Sequence, residues 1–150
     1  IAGVGSSVLK SNMEVTFESV IAHPPGKVWA LLADFTSLQW LPGPRNVTEG
    51  LHDGCTARVL HFDEGSGVDP IVEYLLSVDP SSMRLQYGVV RNPFVPVDGY
   101  RAEVNVCVSG KGSTLRFTGR FERPEDPEQV EQMLLGAYQM MTTSIEAYLS

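Results

Sequence analysis

Residues 100–122, YRAEVNVCVSGKGSTLRFTGRFE, and residues 126–149, DPEQVEQMLLGAYQMMTTSIEAYL, together decide the fold class. In the first stretch Tyr100, Ala102, Val104, Val106 and Val108 share one face, and Arg101, Glu103, Asn105 and Cys107 share the other. A period of two is the mark of a strand with one buried side. Gly110-Lys111-Gly112 turns the chain, as a short hairpin loop requires. Leu115, Phe117, Gly119 and Phe121 then oppose Thr114, Arg116, Thr118, Arg120 and Glu122. The second stretch changes period. Asp126 is placed as an N-cap, Pro127 as the first helical residue, and Gln129 completes a pair resembling a capping box. Val130, Met133, Leu134, Ala137, Met141, Ile145 and Tyr148 form an apolar stripe at helical spacing. The helix runs for about 23 residues, roughly 35 Å.

Upstream, residues 13–21 alternate as a first half-buried strand, with Val15, Phe17, Ser19 and Ile21 on one side. Pro24-Pro25-Gly26 ends it and opens a helix carrying Val28, Leu31, Leu32 and Phe35. A second short helical turn is expected around Ser37 to Leu41, stopped by Pro42-Gly43-Pro44. Strands are expected over 46–51, 55–62, 71–78 and 83–90, separated by turn signals such as Asp53-Gly54 and Asp79-Pro80. A run of antiparallel strands has one face to bury, and a single long helix is present to cover it. The expectation is an α+β fold: a curved antiparallel sheet of about seven strands around a long C-terminal helix, with two short helices after strand 1. A sheet of that size curls and leaves an apolar cavity where the helix does not reach. Residues 13–150 form one domain. Residues 1–12 are expected to be a disordered, leader or expression-derived segment.

Composition narrows the function classes. Hydrophobic residues make up 43% and charged residues 19%, which is ordinary globular usage. The net charge of −7, without any Lys/Arg-rich run, argues against nucleic acid and anionic membrane surfaces as partners. No apolar run reaches the roughly 20 residues of a membrane helix, so no membrane insertion is expected. Cys55 and Cys107 are too few for a disulfide framework or a zinc site and are expected to be buried free thiols. A cytoplasmic location fits, with processed organellar targeting also open. His23, His52 and His61 have no metal-ligand spacing. Neither a metal nor a cofactor is expected, and the chain is expected to be a monomer or homodimer.

Two residues are candidates for chemistry. Glu73 lies in the apolar run Ile71-Val72-Glu73-Tyr74-Leu75-Leu76 with no obvious local partner. Desolvation there would favour its neutral, proton-donating form. Simple alternation, however, groups Val72, Tyr74, Leu76 and Val78 as the better apolar face and would turn Glu73 outward. Tyr100 shares its face with Ala102 and Val104, so its buried hydroxyl needs a partner, either backbone or ligand. Gly119 and Ala137 are small inward residues that leave room, and Met133, Met140 and Met141 offer an adaptable apolar lining. Phe94 lies between Pro93 and Pro96 in the loop 92–98, expected to form one lip of the entrance. The ligand-binding set is read as Arg58, Tyr87, Phe94, Phe117, Met133, Ala137 and Met141, with Tyr100, Phe117 and Met133 expected to share one cavity.

Several segments carry a family likeness. They are Val28-Trp29-Ala30-Leu31-Leu32-Ala33-Asp34-Phe35 with Trp40-Leu41-Pro42, Gly54-Cys55, residues 72–79, Pro96-Val97-Asp98-Gly99-Tyr100, and residues 115–122. In that order, over nearly the whole chain, the sequence resembles the helix-grip (START/Bet v 1-like) superfamily, which includes START lipid-transfer domains and polyketide cyclase/dehydrase-like proteins. Within it the chain looks most like the small cyclase/dehydrase branch that contains the lachrymatory factor synthases, isomerases of a small sulfenic acid. Their pocket uses a Glu, a Tyr and an Arg. The resemblance implies Glu73 for the first and Tyr100 for the second. The Arg departs from the pattern, because the matching position here is Ala57 and Arg58 follows it. A slip of one residue reverses the face of a strand. Either a bulge returns Arg58 to the pocket or the pocket lacks this cation.

The resemblance and the residues together imply a protein that binds a small hydrophobic molecule, such as a polyketide or lipid, in an internal cavity. As an enzyme it would act by acid/base chemistry of cyclase, dehydratase or isomerase type, with Glu73 exchanging a proton and Tyr100 orienting a substrate oxygen. As a carrier or sensor it would hold the same molecule without chemistry. Two or more polar groups converging in the cavity favour the enzyme.

Overall fold

The computed structural model describes residues 11–150 of the chain. Residues 1–10 of the expected leader segment lie outside the described residues. Asn12, also assigned to that segment, instead opens the first strand.

The elements run β1 (Asn12–Ile21), α1 (Pro25–Ala33), β2 (Asn46–His52), β3 (Cys55–His61), a 3₁₀ turn (Glu64–Ser66), β4 (Ile71–Asp79), β5 (Arg84–Arg91), β6 (Arg101–Ser109), β7 (Gly112–Glu122) and α2 (Pro127–Leu149). All neighbouring strands are antiparallel, in the order β1-β7-β6-β5-β4-β3-β2. Short hairpins make most of the links, so sequence order becomes sheet order. Only β1 joins from afar, pairing with β7 from Asn12↔Glu122 to Ile21↔Ser113.

Turn chemistry sets the register. Asp53 and Gly54 both have positive φ, 48° and 79°, between the paired residues His52 and Cys55. That is the two-residue turn whose twist matches its strands. The helix starts are equally local. The Asp126 side chain accepts the backbone N–H of Gln129 at 3.2 Å, and Pro127 occupies the first turn. Pro25 opens α1, which buries Val28 and Leu32.

The second expected short helix is absent. Residues 34–41 make two successive turns, closed by Ser37 N–H to Asp34 O and Leu41 N–H to Leu38 O. Pro42 and Pro44 stop any helix from extending, and burial of Phe35, Leu38 and Trp40 holds the turns against the core.

The inward faces of β1, β5, β6 and β7 supply Val15, Leu85, Val104, Val106, Leu115, Phe117 and Phe121 to one core. Helix α2 lies on β1 and β7 and adds Val130, Leu134, Tyr138, Thr142 and Ile145. Each fully buried Leu or Ile contributes roughly 2 kcal/mol over an exposed one. The buried stripe is displaced from the expected one. Tyr138 and Thr142 are inside, whereas Met133 and Tyr148 are exposed. A hydrophobicity ranking demotes Tyr and Thr, but both hydroxyls are satisfied here. Thr142 Oγ1 donates to Tyr138 O at 2.9 Å, and Tyr138 pairs with Tyr100. Neither cysteine is buried as expected: Cys55 is half-buried and Cys107 exposed. Both lie in strand segments paired away from the core face.

Candidate functional site

Where α2 leaves the sheet, β3, β4 and β5 curl around a cavity of about 340 Å³. This lies near the lower end of ligand-site volumes. Leu60, Phe62, Ile71, Leu134, Ala137 and Met141 form apolar wall. The exposed members of the lining, Pro42, Gly43, Phe94 and Met140, make its rim. Phe94 packs edge-on against Phe62, ring centroids 5.4 Å apart. Asn92 and Val95 join Phe94 in the lining, so the loop 92–98 contributes one lip.

Glu73 points inward and is 8% exposed. Its direction follows from strand pairing that local alternation does not contain. From Val72 to Asp79, β4 shifts register against β5 twice, once between Val72 and Glu73 and once between Leu75 and Ser77. Leu76 is the extra residue of the second irregularity. The residues 72, 74, 76 and 78 therefore do not share one face. Ile71, Glu73 and Leu75 form the inner row, with Leu75 opposite the buried Tyr87.

Arg58 is also inside, without a bulge in β3. Its pairing with β2 and with β4 is continuous, and it stands directly opposite Glu73. Side chains opposite each other on antiparallel strands share a face, so one placement entails the other. Arg58 Nε donates to Glu73 Oε1 at 2.7 Å, and Arg58 Nη1 donates to Phe35 O at 3.0 Å. The guanidinium packs on the Phe35 ring at 4.0 Å and on the Tyr87 ring at 5.0 Å. Such desolvated cation–π contacts are worth up to about 2 kcal/mol each. The partner that Glu73 lacks locally is thus Arg58, 15 residues away. With Arg58 as its partner, Glu73 is not the isolated carboxyl expected from its apolar run.

Three phenols complete the polar group. Tyr100 Oη and Tyr138 Oη are 2.7 Å apart. Tyr138 lies flat on Phe117, centroids 4.9 Å apart and planes 4° from parallel. Tyr87 is buried beside the ion pair and lines the cavity. Burial pushes the phenols of Tyr87 and Tyr100 well above the ordinary value, and the nearby Glu73 charge adds to the effect. Tyr138 is pushed up to about 12, again chiefly by burial. All three are therefore hydrogen-bond donors at neutral pH. Trp40 Nε1, in the cavity wall, is a buried donor without a partner among the described residues.

Arg58, Glu73, Tyr87, Phe94, Tyr100, Ala137 and Met141 are brought together around this cavity. Two expected members are not. Phe117 is 1% exposed and stands behind Tyr138, beside a separate void of about 20 Å³. Met133 faces an outer groove with Pro96, Val97 and Glu122, because it is one helical position off the buried stripe. Tyr138 was missed, although its spacing of four from Leu134 and eight from Val130 is helical. The histidines stay outside the cavity: His61 bonds Thr48, His23 bonds Ser150, and His52 packs on Tyr74. Among the described residues no group of three or more His, Cys, Asp or Glu is placed to hold a metal. No described helix is long and apolar enough to cross a membrane.

Known structures share this architecture. XoxI of Bacillus cereus is 25% identical, with 90% of this chain and 94% of that chain covered and a TM-score of 0.75. A truncated norcoclaurine synthase of Thalictrum flavum matches at 18% identity, covering 93% and 94%, with a TM-score of 0.72. Ara h 8.0201 matches at 15% identity, covering 92% and 97%, with a TM-score of 0.71. At 18% and 15% identity the latter two show the fold alone, which is the helix-grip arrangement. No curated protein sequence matches this chain significantly. The family model described as polyketide cyclase / dehydrase and lipid transport matches residues 12–150, and the chain belongs to that family.

Proposed function

We propose that the protein binds a small hydrophobic molecule, a polyketide, lipid or similar compound, in this cavity and acts on it by acid/base chemistry. The observation that carries this reading is the convergence of one carboxylate, one guanidinium and three phenols on a single apolar chamber. A lipid carrier needs no such set. A reaction that moves a proton needs a base, and donors where negative charge develops on oxygen. Glu73 takes a proton from the ligand. A phenolic O–H, with the Arg58 N–H groups left over from its two bonds, holds the ligand oxygen. The apolar wall keeps water from competing. Cyclisation, dehydration and isomerisation all begin with such a transfer.

The second reading is a carrier or sensor. It is favoured by one feature: the Arg58–Glu73 pair is complete in itself and also fits a structural role. The two separate on one substitution. Glu73→Gln keeps the side-chain shape and an oxygen to accept from Arg58 Nε, and removes the base. It costs stability by leaving the guanidinium charge unbalanced, so the two proteins are compared where both are folded. The protein and this variant are incubated with a small-molecule extract of source cells, and conversion and co-purifying compounds are followed by mass spectrometry. The enzyme reading expects the variant to retain the bound compound and convert it about 10²- to 10⁴-fold more slowly. Undiminished conversion by the variant removes Glu73 as the base, and a compound retained by both and altered by neither leaves the carrier.

A further inference from the structure

We infer that Tyr138 and Tyr100 act as one ligand-contacting unit, with Gly119 as the positioning residue that makes the unit possible. The inference rests on the cavity reading above and adds residues on β7 and α2 to it.

Both rings line the cavity, one from the end of the β5–β6 loop and one from the C-terminal helix. Their hydroxyls share one hydrogen bond of 2.7 Å. Two phenols carry two protons. One lies between the oxygens, and the other remains to be donated. A chain of hydrogen bonds strengthens its terminal donor. The unit thus offers a ligand one O–H, backed by a second, inside an apolar wall. The best complement is an uncharged acceptor such as a carbonyl oxygen. Arg58 and Glu73 already balance each other's charge, so an anionic ligand would bring an uncompensated charge into a buried site.

Gly119 explains why Tyr138 can reach this place. A Cβ at position 119 would collide with the Tyr138 hydroxyl and lie 3.3 Å from Tyr100 Cε1. Tyr138 is not free to swing away, because its ring is stacked on Phe117 and is 1% exposed. The absence of a side chain at 119 is therefore matched to one oxygen atom on α2.

Two probes of equal shape read the donor: acetophenone, with a carbonyl oxygen, and α-methylstyrene, with a methylene in its place. Affinities are measured by NMR titration for the wild-type protein, Tyr138→Phe, Tyr100→Phe and the double variant. The ratio of the two affinities should shift against acetophenone by about five- to tenfold in the more affected single variant, the worth of one hydrogen bond. The double variant should lose no more than that, because the two phenols work as a unit. Independently of any ligand, Gly119→Ala should lower Tm by about 5 °C or more, and most of that loss should vanish when Tyr138→Phe removes the colliding oxygen. An unchanged affinity ratio in both Phe variants, with both probes still bound, overturns the ligand role alone. A Gly119→Ala loss that persists in the Tyr138→Phe background overturns the positioning role. Failure of the wild-type protein to bind either probe overturns this inference together with the cavity reading beneath it.

Discussion

Arg58 and Glu73 stand opposite each other on β3 and β4, and the guanidinium Nε lies 2.7 Å from the carboxylate Oε1. Both side chains are about nine-tenths buried. Pairing balances the charge that burial would otherwise make costly, and the Phe35 carbonyl takes a second guanidinium N–H. Neither residue is stable inside this cavity without the other. The polar end of the chamber is thus one unit contributed by two strands.

Removing one partner should therefore cost more than removing both. Arg58→Met leaves an unpaired buried carboxylate and should destabilise the fold by about 3–5 kcal/mol. Arg58→Met combined with Glu73→Leu should recover most of that loss. Urea unfolding midpoints of the four proteins check the expectation. Equal losses in the single and double variants would show that the ion pair is not the source.

The buried phenols set an alkaline limit. Tyr138 ionises at 10.0 in the unfolded chain and at about 12 in the folded one, and Tyr87 and Tyr100 shift in the same direction. Above pH 10 the unfolded chain gives up protons that the folded chain keeps, so stability falls as pH rises. The contribution is fully present below pH 10 and is lost toward the folded value. Tyr138 alone accounts for a loss on the order of 3 kcal/mol by linkage. Unfolding midpoints at pH 8, 9.5, 11 and 12 should be flat across the first pair and fall across the second, less steeply in Tyr138→Phe.

Phe94 should govern exchange at the rim rather than folding. It is 47% exposed and contacts Phe62 by its edge. Phe94→Ala should change stability by less than about 1 kcal/mol, as exposed positions usually do. Dissociation of a bound probe such as acetophenone should quicken several-fold. Stopped-flow or NMR exchange rates measure this, and an unchanged off-rate would place the entrance elsewhere.

Two glycines should respond oppositely to alanine. A Cβ on Gly112 would strike the backbone oxygen of Ile21, which cannot move without breaking the β1–β7 pairing. Gly112→Ala should cost about 1–3 kcal/mol. Gly136, exposed on α2, has open space around its Cβ position. Gly136→Ala should stabilise the protein by about 0.5–1 kcal/mol through helix propensity and chain entropy. Thermal melts of the two variants check both signs.

Local signals were enough for the seven strands, the first and last helices and their order, but not for residues 34–41, which make turns where a short helix is expected. The alternation through Ala102, Val104 and Val106, the Asp53-Gly54 turn and the Asp126-Pro127 helix start each depend on residues a few positions apart. All three stand in the structure, although Val108, expected on the same face, is exposed near the hairpin turn. Short links then make sequence neighbours into sheet neighbours, so the antiparallel sheet and the helix across it were legible from the chain. The site was legible only in part. Tyr100 is legible because it continues, from the end of the β5–β6 loop, the inward row of Ala102 and Val104.

Other features came only from tertiary structure, because they depend on pairings between distant residues. The irregularity at Leu76 breaks the alternation of β4, and only pairing with β5 reveals which half of the strand faces inward. Arg58 enters the cavity because it sits across from Glu73, a relation that a count from Gly54 does not contain. Tyr138 is buried because a hydroxyl 38 residues away satisfies its own and because Gly119 leaves it space. Met133 is turned out by the same rotation of α2 that turns Tyr138 in. Periodicity tells which residues share a face. Which face meets the cavity, and which buried polar atom finds a partner there, is decided by contacts across the sheet.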